Sequence, residues 1–118
     1  MTADPFAERL ARVRQRFVST LDGKVDGAFA ALPKLSGAGP EAVAIIGEVC
    51  REMHGIAGVG PTVGFPLAGR AARAAEDVLR KAQLASRTLA ADEIELFKNR
   101  LDDLRGAAAR ELQFFHAD

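Results

Sequence analysis

The sequence predicts an all-α protein, folded as an up-down antiparallel four-helix bundle, and three observations favour this fold. Four segments carry apolar residues at spacings of three and four, which is the period of an amphipathic helix. Short stretches that contain glycine or proline separate these segments. No segment alternates apolar and polar residues with the period of two that is typical of strands. Amphipathic helices joined by short loops pack as antiparallel neighbours, which gives the bundle.

Composition limits the classes of function. The 118 residues are enough for one domain, predicted to span 1–118. Sixteen basic residues balance sixteen acidic ones, which argues against a nucleic-acid partner. The single cysteine, Cys50, excludes a disulfide within the chain and fits a reducing compartment. Apolar runs are too short for a membrane helix, and the first residues lack a secretory signal, so we expect a cytoplasmic protein with no membrane partner.

The first helix is predicted to begin at Asp4 and Pro5, an N-cap carboxylate followed by proline at the first helical position. Residues 22–27 include two glycines, so a single helix and two collinear helices are both compatible with the pattern. Pro33 is predicted to end the pattern, and residues 35–39 to form a loop. The predicted apolar stripe consists of Phe6, Leu10, Val13, Phe17, Leu21, Val25, Ala28 and Leu32.

The second helix is predicted to begin at Pro40 and to end near residues 58–61, because Pro61 cannot continue a helix. His54 lies on the opposite side of this helix from the apolar residues, so its side chain is expected to point away from the core. The predicted apolar face consists of Val43, Ile46, Val49, Met53 and Ile56.

Two further helices complete the pattern. The third is rich in alanine, which indicates close approach between helices, and its predicted buried face is Leu67, Ala71, Ala74, Ala75, Val78 and Ala82. Its charged residues are expected to face mostly solvent, namely Arg70, Arg73, Glu76, Asp77, Arg80 and Lys81. The fourth helix, about residues 90–115, carries Ile94, Phe97, Leu101, Leu104, Ala108, Leu112 and Phe115 at helical spacing.

The candidate functional stretch is residues 51–67, which holds His54 and four glycines. Glycine inside a helix costs about 1 kcal/mol relative to alanine, so small residues here indicate a role other than stability. We interpret them as keeping the surface around His54 open to another protein. The neighbours of His54 on the same helical face, three or four residues away, are Cys50, Arg51, Ala57 and Gly58.

An exposed histidine of this kind can take part in phosphoryl transfer. Imidazole in water is largely neutral and nucleophilic at pH 7, and it can accept a phosphoryl group from an acyl phosphate. The reaction needs access, an in-line approach and cations, for which Arg51, Arg70 and Arg73 are the candidates. The sequence shows no metal-ligand spacing, nucleophile triad or phosphate-binding loop. By composition alone, an ordinary surface histidine remains an alternative.

The glycine spacing adds a resemblance. Ile56, Gly58 and Gly64 follow His54 at offsets of two, four and ten, and Phe65 and a long helix come next. This stretch resembles the histidine phosphotransfer (HPt) domain of bacterial two-component phosphorelays, and it is similar to the phosphotransfer domain of chemotaxis kinases. The resemblance implies a four-helix bundle with the histidine exposed on the second helix. It also implies that His54 is the phosphoacceptor and that Gly58 leaves room for a receiver domain.

The function implied by the resemblance is that of a phosphocarrier. Such a protein accepts a phosphoryl group from the aspartyl phosphate of one receiver domain and passes it to another, and it is not an enzyme in the usual sense. The implied partners are response-regulator receiver domains and a hybrid histidine kinase, and the chain is expected to be a monomer. No cofactor is expected on this chain, because Mg²⁺ would belong to the partner receiver.

The chain departs from the family pattern at one position. Ala57 stands where the family usually has lysine or arginine, three residues after the histidine. Either a neighbouring arginine takes that role, or the protein is a non-phosphorylated helical adaptor that binds a receiver domain through the His54 face. A dimerising bundle is a third option, because Phe114 and Phe115 lie near the end of the fourth helix.

Overall fold

The computed structural model describes residues 4–37 and 39–116, which form four α-helices and one short 3₁₀ helix. The α-helices are α1 (Pro5–Leu35), α2 (Pro40–Val59), α3 (Pro66–Leu84) and α4 (Ala91–His116), and the 3₁₀ helix (Gly60–Val63) links α2 to α3. The described residues include no strand, so the predicted fold class is confirmed. The expectation about a secretory signal depended on the first eight residues, of which the first three lie outside the described residues, as does Ala38 of the predicted loop.

The helices pack in the order expected for an up-down bundle. α2 packs on α3, α3 on α4, α4 on α1 and α1 on α2, in a body of 60 × 20 × 20 Å. At one end, Leu89 N–H donates to the carbonyl of Leu35 at 3.0 Å, which joins the α3–α4 connection to the end of α1. At the opposite end, Arg14 donates from Nε to the carbonyl of Val63 at 3.2 Å. We call this second end, which contains Gly60–Val63, the 3₁₀ end.

α1 is a single helix, which decides between the two options left open by its glycines. Asp4 caps it by accepting a hydrogen bond from Phe6 N–H at 3.0 Å. The prediction that Pro33 ends this helix was wrong, because α1 continues to Leu35. Proline removes one backbone hydrogen bond in the last turn, and complete burial of Leu35 offsets that loss.

The predicted apolar stripe of α1 is buried only along part of its length. Leu21, Val25 and Ala28 are in the core, but Phe6 is 64% exposed and Val13 is 42% exposed. Both of these residues precede Arg14, which contacts the 3₁₀ end. The first turns of α1 therefore carry apolar side chains that the bundle does not cover.

The buried face of α3 differs from the predicted one by about one residue. Ala75, Val78 and Ala82 are buried as predicted, but Leu67 is 46% exposed, and Ala71 and Ala74 are only partly buried. The fully buried set is Ala68, Ala72, Ala75, Leu79 and Ala82. The start of α3 is held by hydrogen bonds to α4, which the spacing of apolar residues along α3 cannot predict. Backbone N–H groups of Leu67 and Ala68 donate to the Glu111 carboxylate at 2.9 and 2.8 Å.

A close backbone contact joins the end of α2 to α3. A Cβ at Gly60 would lie 2.9 Å from the carbonyl oxygen of Phe65 and 3.2 Å from the nitrogen of Gly69. A Cβ at Gly69 would lie 2.8 Å from Cδ of Pro61. Glycine at both positions lets the helices approach at this end, which brings α3 beside the last turns of α2.

Candidate functional site

His54 lies in the second half of α2, where the helix has one apolar side and one open side. Its side chain is 67% exposed, whereas Met53 and Ile56 on the core side are buried. The predicted orientation of His54 away from the core is confirmed. The imidazole is therefore reachable from solvent.

The imidazole is held by a carboxylate from the neighbouring helix. His54 Nδ1 lies 2.8 Å from Oε2 of Glu76 on α3. Glu76 is only 2% exposed, and the same Oε2 also accepts a hydrogen bond from Nη2 of Arg80, one turn further along α3. Burial raises the pKa of Glu76, but the hydrogen bonds from Arg80 and His54 outweigh it and hold the pKa below the ordinary value of 4.5. The carboxylate is therefore ionised at neutral pH.

The charge of Glu76 fixes the tautomer of the histidine. An ionised carboxylate can only accept hydrogen bonds, so Nδ1 of His54 carries the hydrogen and donates it. In the neutral ring, the lone pair then lies on Nε2, across the ring from the anchored nitrogen. The arrangement presents Nε2 of an exposed, oriented imidazole as a nucleophile.

Glu76 was missed by the sequence prediction, which placed it on the solvent side of α3. Its spacing of four residues from Arg80 is that of a helical ion pair, and this was the one available signal. That spacing cannot show which neighbouring helix the pair faces. Where α3 packs on α2, the buried carboxylate of Glu76 accepts hydrogen bonds from His54 of α2 and from Arg80 of α3.

Two of the predicted neighbours of His54 are not on its open side. Cys50 and Ala57 are both buried, because this side of α2 packs against α3. The carbonyl oxygen of Ala57 would lie 3.3 Å from a Cβ at Gly69, which shows how near the two helices come. Burial, followed by the negative charge of Glu76, raises the pKa of the Cys50 thiol, so this side chain is neutral at pH 7.

The other side of His54 is open. A Cβ at Gly55 or at Gly58 would meet no atom within 4 Å, and both glycines are exposed. Gly64, predicted to form a loop, adopts a left-handed conformation with φ of 95° at the end of the 3₁₀ helix. Neither Gly55 nor Gly58 is needed for close packing, which leaves space beside the imidazole.

The arginines proposed from the sequence as cations are all exposed, and their role in the chemistry stays a prediction. Arg51 directs its guanidinium back along α2, where Nη1 would lie 3.6 Å from a Cβ at Gly47. Arg70 and Arg73 lie on the exposed side of α3. Arg80, which was not among the candidates, is the arginine that binds the carboxylate of Glu76.

An apolar groove between α1 and α2 begins next to His54. Gly55 and Val59 line it from α2, and Val13 and Phe17 line it from α1. Two basic residues of α1 also line this groove, Arg16 and Lys24. The open side of His54 thus continues into an apolar surface that carries positive charge.

Two further properties concern only the part of the chain that the structure describes. No group of three or more histidine, cysteine, aspartate or glutamate side chains in that part is arranged to hold a metal ion. Within residues 4–37 and 39–116, no helix combines the length and the apolar character required to cross a membrane.

Comparison with known proteins identifies one family. A family model described as "Hpt domain" matches residues 8–107, a stretch that contains His54, Gly58 and Glu76. Comparisons with curated proteins and with solved structures find no match. The matched stretch covers α2 and α3 completely and most of α1 and α4.

Proposed function

The chain belongs to the Hpt domain family, and from this membership we propose that it is a phosphocarrier whose phosphoacceptor is His54. Hpt domains serve histidine phosphotransfer in phosphorelays and interact with response-regulator receiver domains. For this chain, the proposed donor is the aspartyl phosphate of one receiver domain, and the proposed acceptor is the aspartate of another. The observation that carries the proposal is the bond from His54 Nδ1 to the buried Glu76, which leaves Nε2 free for the reaction.

The transfer step needs no proton from this chain. The lone pair of Nε2 attacks phosphorus, and the N–P bond forms as the P–O bond to the aspartyl carboxylate breaks. The carboxylate leaves with the electron pair, and the ring becomes cationic because Nδ1 keeps its hydrogen. The negative charge of Glu76 stabilises that cation. The same step in reverse passes the phosphoryl group to the second receiver.

The partner receiver domains are proposed to supply the metal ion and the aspartate for the transfer. Receiver domains, including that of a hybrid histidine kinase, would bring Mg²⁺ and the carboxylates that bind it, so no cofactor is proposed for this chain. We also propose that the chain acts as a monomer. It holds and presents the phosphoryl group and does not turn over a substrate by itself. Arg51, Arg70 and Arg73 remain proposed contacts to the phosphoryl group or the receiver, because all three are exposed.

We place the receiver on the open side of His54. Gly58 offers room, and the groove next to Gly55 offers apolar surface. Arg16 and Lys24 give the groove a positive charge, which complements the acidic groups that a receiver brings around its aspartate. Cys50 and Ala57 support this surface from below, as buried small residues between α2 and α3.

The proposal is tested with a panel of receiver domains that carry labelled aspartyl phosphate, using the natural chain and His54→Gln. We expect acid-labile, base-stable label on the natural chain alone, with the same helical circular dichroism for both proteins. Loss of helicity in His54→Gln would instead identify a structural histidine. If neither protein takes label but a receiver still binds both, the chain is a non-phosphorylated adaptor.

A further inference from the structure

Arg80 and His54 bind the same oxygen atom, Oε2 of the buried Glu76. We infer that Arg80 supplies the positive charge that stabilises the phosphoryl group during transfer and on the phosphorylated His54. The inference rests on the proposed role of His54 as phosphoacceptor. It assigns this role to a residue of α3, about four turns after the start of that helix, and not to a residue of α2.

The phosphoryl group on an exposed histidine needs such a cation. It carries up to two negative charges, and transfer concentrates charge on its oxygens and on the leaving carboxylate. The residues of α2 within one turn of His54 offer little compensation, since Cys50, Ala57 and Gly58 are uncharged. Arg51 is charged, but its guanidinium is directed towards Gly47, on the turn that precedes it.

The geometry of Arg80 suits this role. Its side chain is 50% exposed, and its guanidinium binds the same carboxylate oxygen as the imidazole of His54. A guanidinium has five N–H donors. Arg80 uses Nη2 to bind Glu76, and it also hydrogen-bonds the Cys50 thiol, so donors remain for phosphoryl oxygens. Because the buried carboxylate already anchors the guanidinium, little side-chain freedom remains to be lost when the phosphoryl group arrives.

A purely structural role predicts different behaviour. If Arg80 served only to orient Glu76, a neutral hydrogen-bond donor at position 80 would be sufficient. Arg80→Gln removes the charge and keeps an N–H donor, whereas Arg80→Lys keeps the charge. Lys81→Gln is the matched control, because it also removes one positive charge from α3. The charge of Lys81 lowers the pKa of Glu93 and is not among the causes that shift the pKa of Glu76.

The first measurement is the rate of phosphoryl transfer from a labelled receiver to each variant. We expect Arg80→Gln to be slower by about tenfold, while Arg80→Lys retains most of the natural rate and Lys81→Gln changes it less than about twofold. Equal rates for Arg80→Gln and the natural chain would overturn the inference and leave the proposed function intact. A natural chain that takes no label would overturn both.

The second measurement needs no receiver. Each protein is phosphorylated chemically with phosphoramidate, and the phosphoryl group on His54 is titrated by ³¹P nuclear magnetic resonance. A nearby cation favours the dianion, so Arg80→Gln is expected to raise the titration midpoint by about half a pH unit relative to the natural chain. Lys81→Gln is expected to leave the midpoint unchanged. Identical midpoints for the natural chain and Arg80→Gln would show that Arg80 does not reach the phosphoryl group.

Discussion

His54 on α2 and Glu76 on α3 are 22 residues apart in the chain and are joined by a 2.8 Å contact between Nδ1 and Oε2. One partner is exposed to solvent and the other is almost completely buried. The buried carboxylate therefore acts as a fixed support for a reactive group at the surface. This relationship explains how a single exposed histidine is oriented by one carboxylate from the neighbouring helix.

Replacing the support should slow transfer and disturb the tautomer. Glu76→Gln removes the negative charge that favours hydrogen on Nδ1 and stabilises the cationic ring, so we expect transfer to fall by roughly tenfold. Nitrogen-15 chemical shifts of the imidazole should show a larger fraction with hydrogen on Nε2. Glu95→Gln, the same change at an exposed position of α4, is the control. An unchanged tautomer and rate in Glu76→Gln would contradict this role.

Acid should remove the stabilisation that Glu76 provides. Because its pKa in the folded protein is depressed below 4.5, its ionised form stabilises the fold above about that pH. The contribution is lost as the pH falls through the folded-state pKa. Thermal unfolding of the natural chain and Glu76→Gln between pH 7 and pH 3 should show a stability difference that shrinks below pH 4.5. A difference that stays constant with pH would exclude this linkage.

Two glycines of the same stretch should respond oppositely to alanine. At Gly60 the backbone is right-handed with φ of −47°, but a Cβ would come within 2.9 Å of a backbone oxygen that cannot easily move. Gly60→Ala should therefore lower the free energy of unfolding by about 1–3 kcal/mol. Gly55→Ala meets no atom and should raise it by up to about 1 kcal/mol. Urea unfolding followed by circular dichroism measures both changes. A Gly60→Ala variant more stable than the natural chain would show that the backbone near Phe65 moves to accommodate the Cβ.

Bulk at Gly58 should block the receiver without harming the fold. Its Cβ position is open, so Gly58→Gln should unfold at the temperature of the natural chain or slightly above it. We expect transfer from a receiver to fall by at least about tenfold, while chemical phosphorylation of His54 by phosphoramidate stays normal. Gly27→Gln is the control, because Gly27 is an exposed helical glycine of α1 whose Cβ position is equally open. Normal transfer in Gly58→Gln would mean that the receiver does not approach over this residue.

Local pattern was sufficient for the helices, apart from the continuity and the end of α1, and for the orientation of His54. The apolar spacing on α2 predicts which side of that helix meets the core, since Ile46, Met53 and Ile56 must be buried together. The offsets of Ile56, Gly58 and Gly64 from His54 were sufficient for the family. These features lie within one helix and the turn that follows it, so their determinants are adjacent in the chain.

The limits of the sequence prediction lie where two helices meet. The close contact between Gly60 and Gly69, together with the Glu111 carboxylate at the start of α3, sets how that helix is rotated. The predicted buried face was displaced by about one residue for that reason, and Glu76 was assigned to solvent.

The amino-acid sequence by itself determined four amphipathic helices, an exposed histidine and the family to which the chain belongs. Only the tertiary structure decided that Glu76 is buried, that it holds Nδ1 of His54 and that Arg80 shares the same oxygen. The physical reason is that the period of a helix fixes which residues share a face, whereas the rotation of one helix against another depends on packing between residues far apart in the chain.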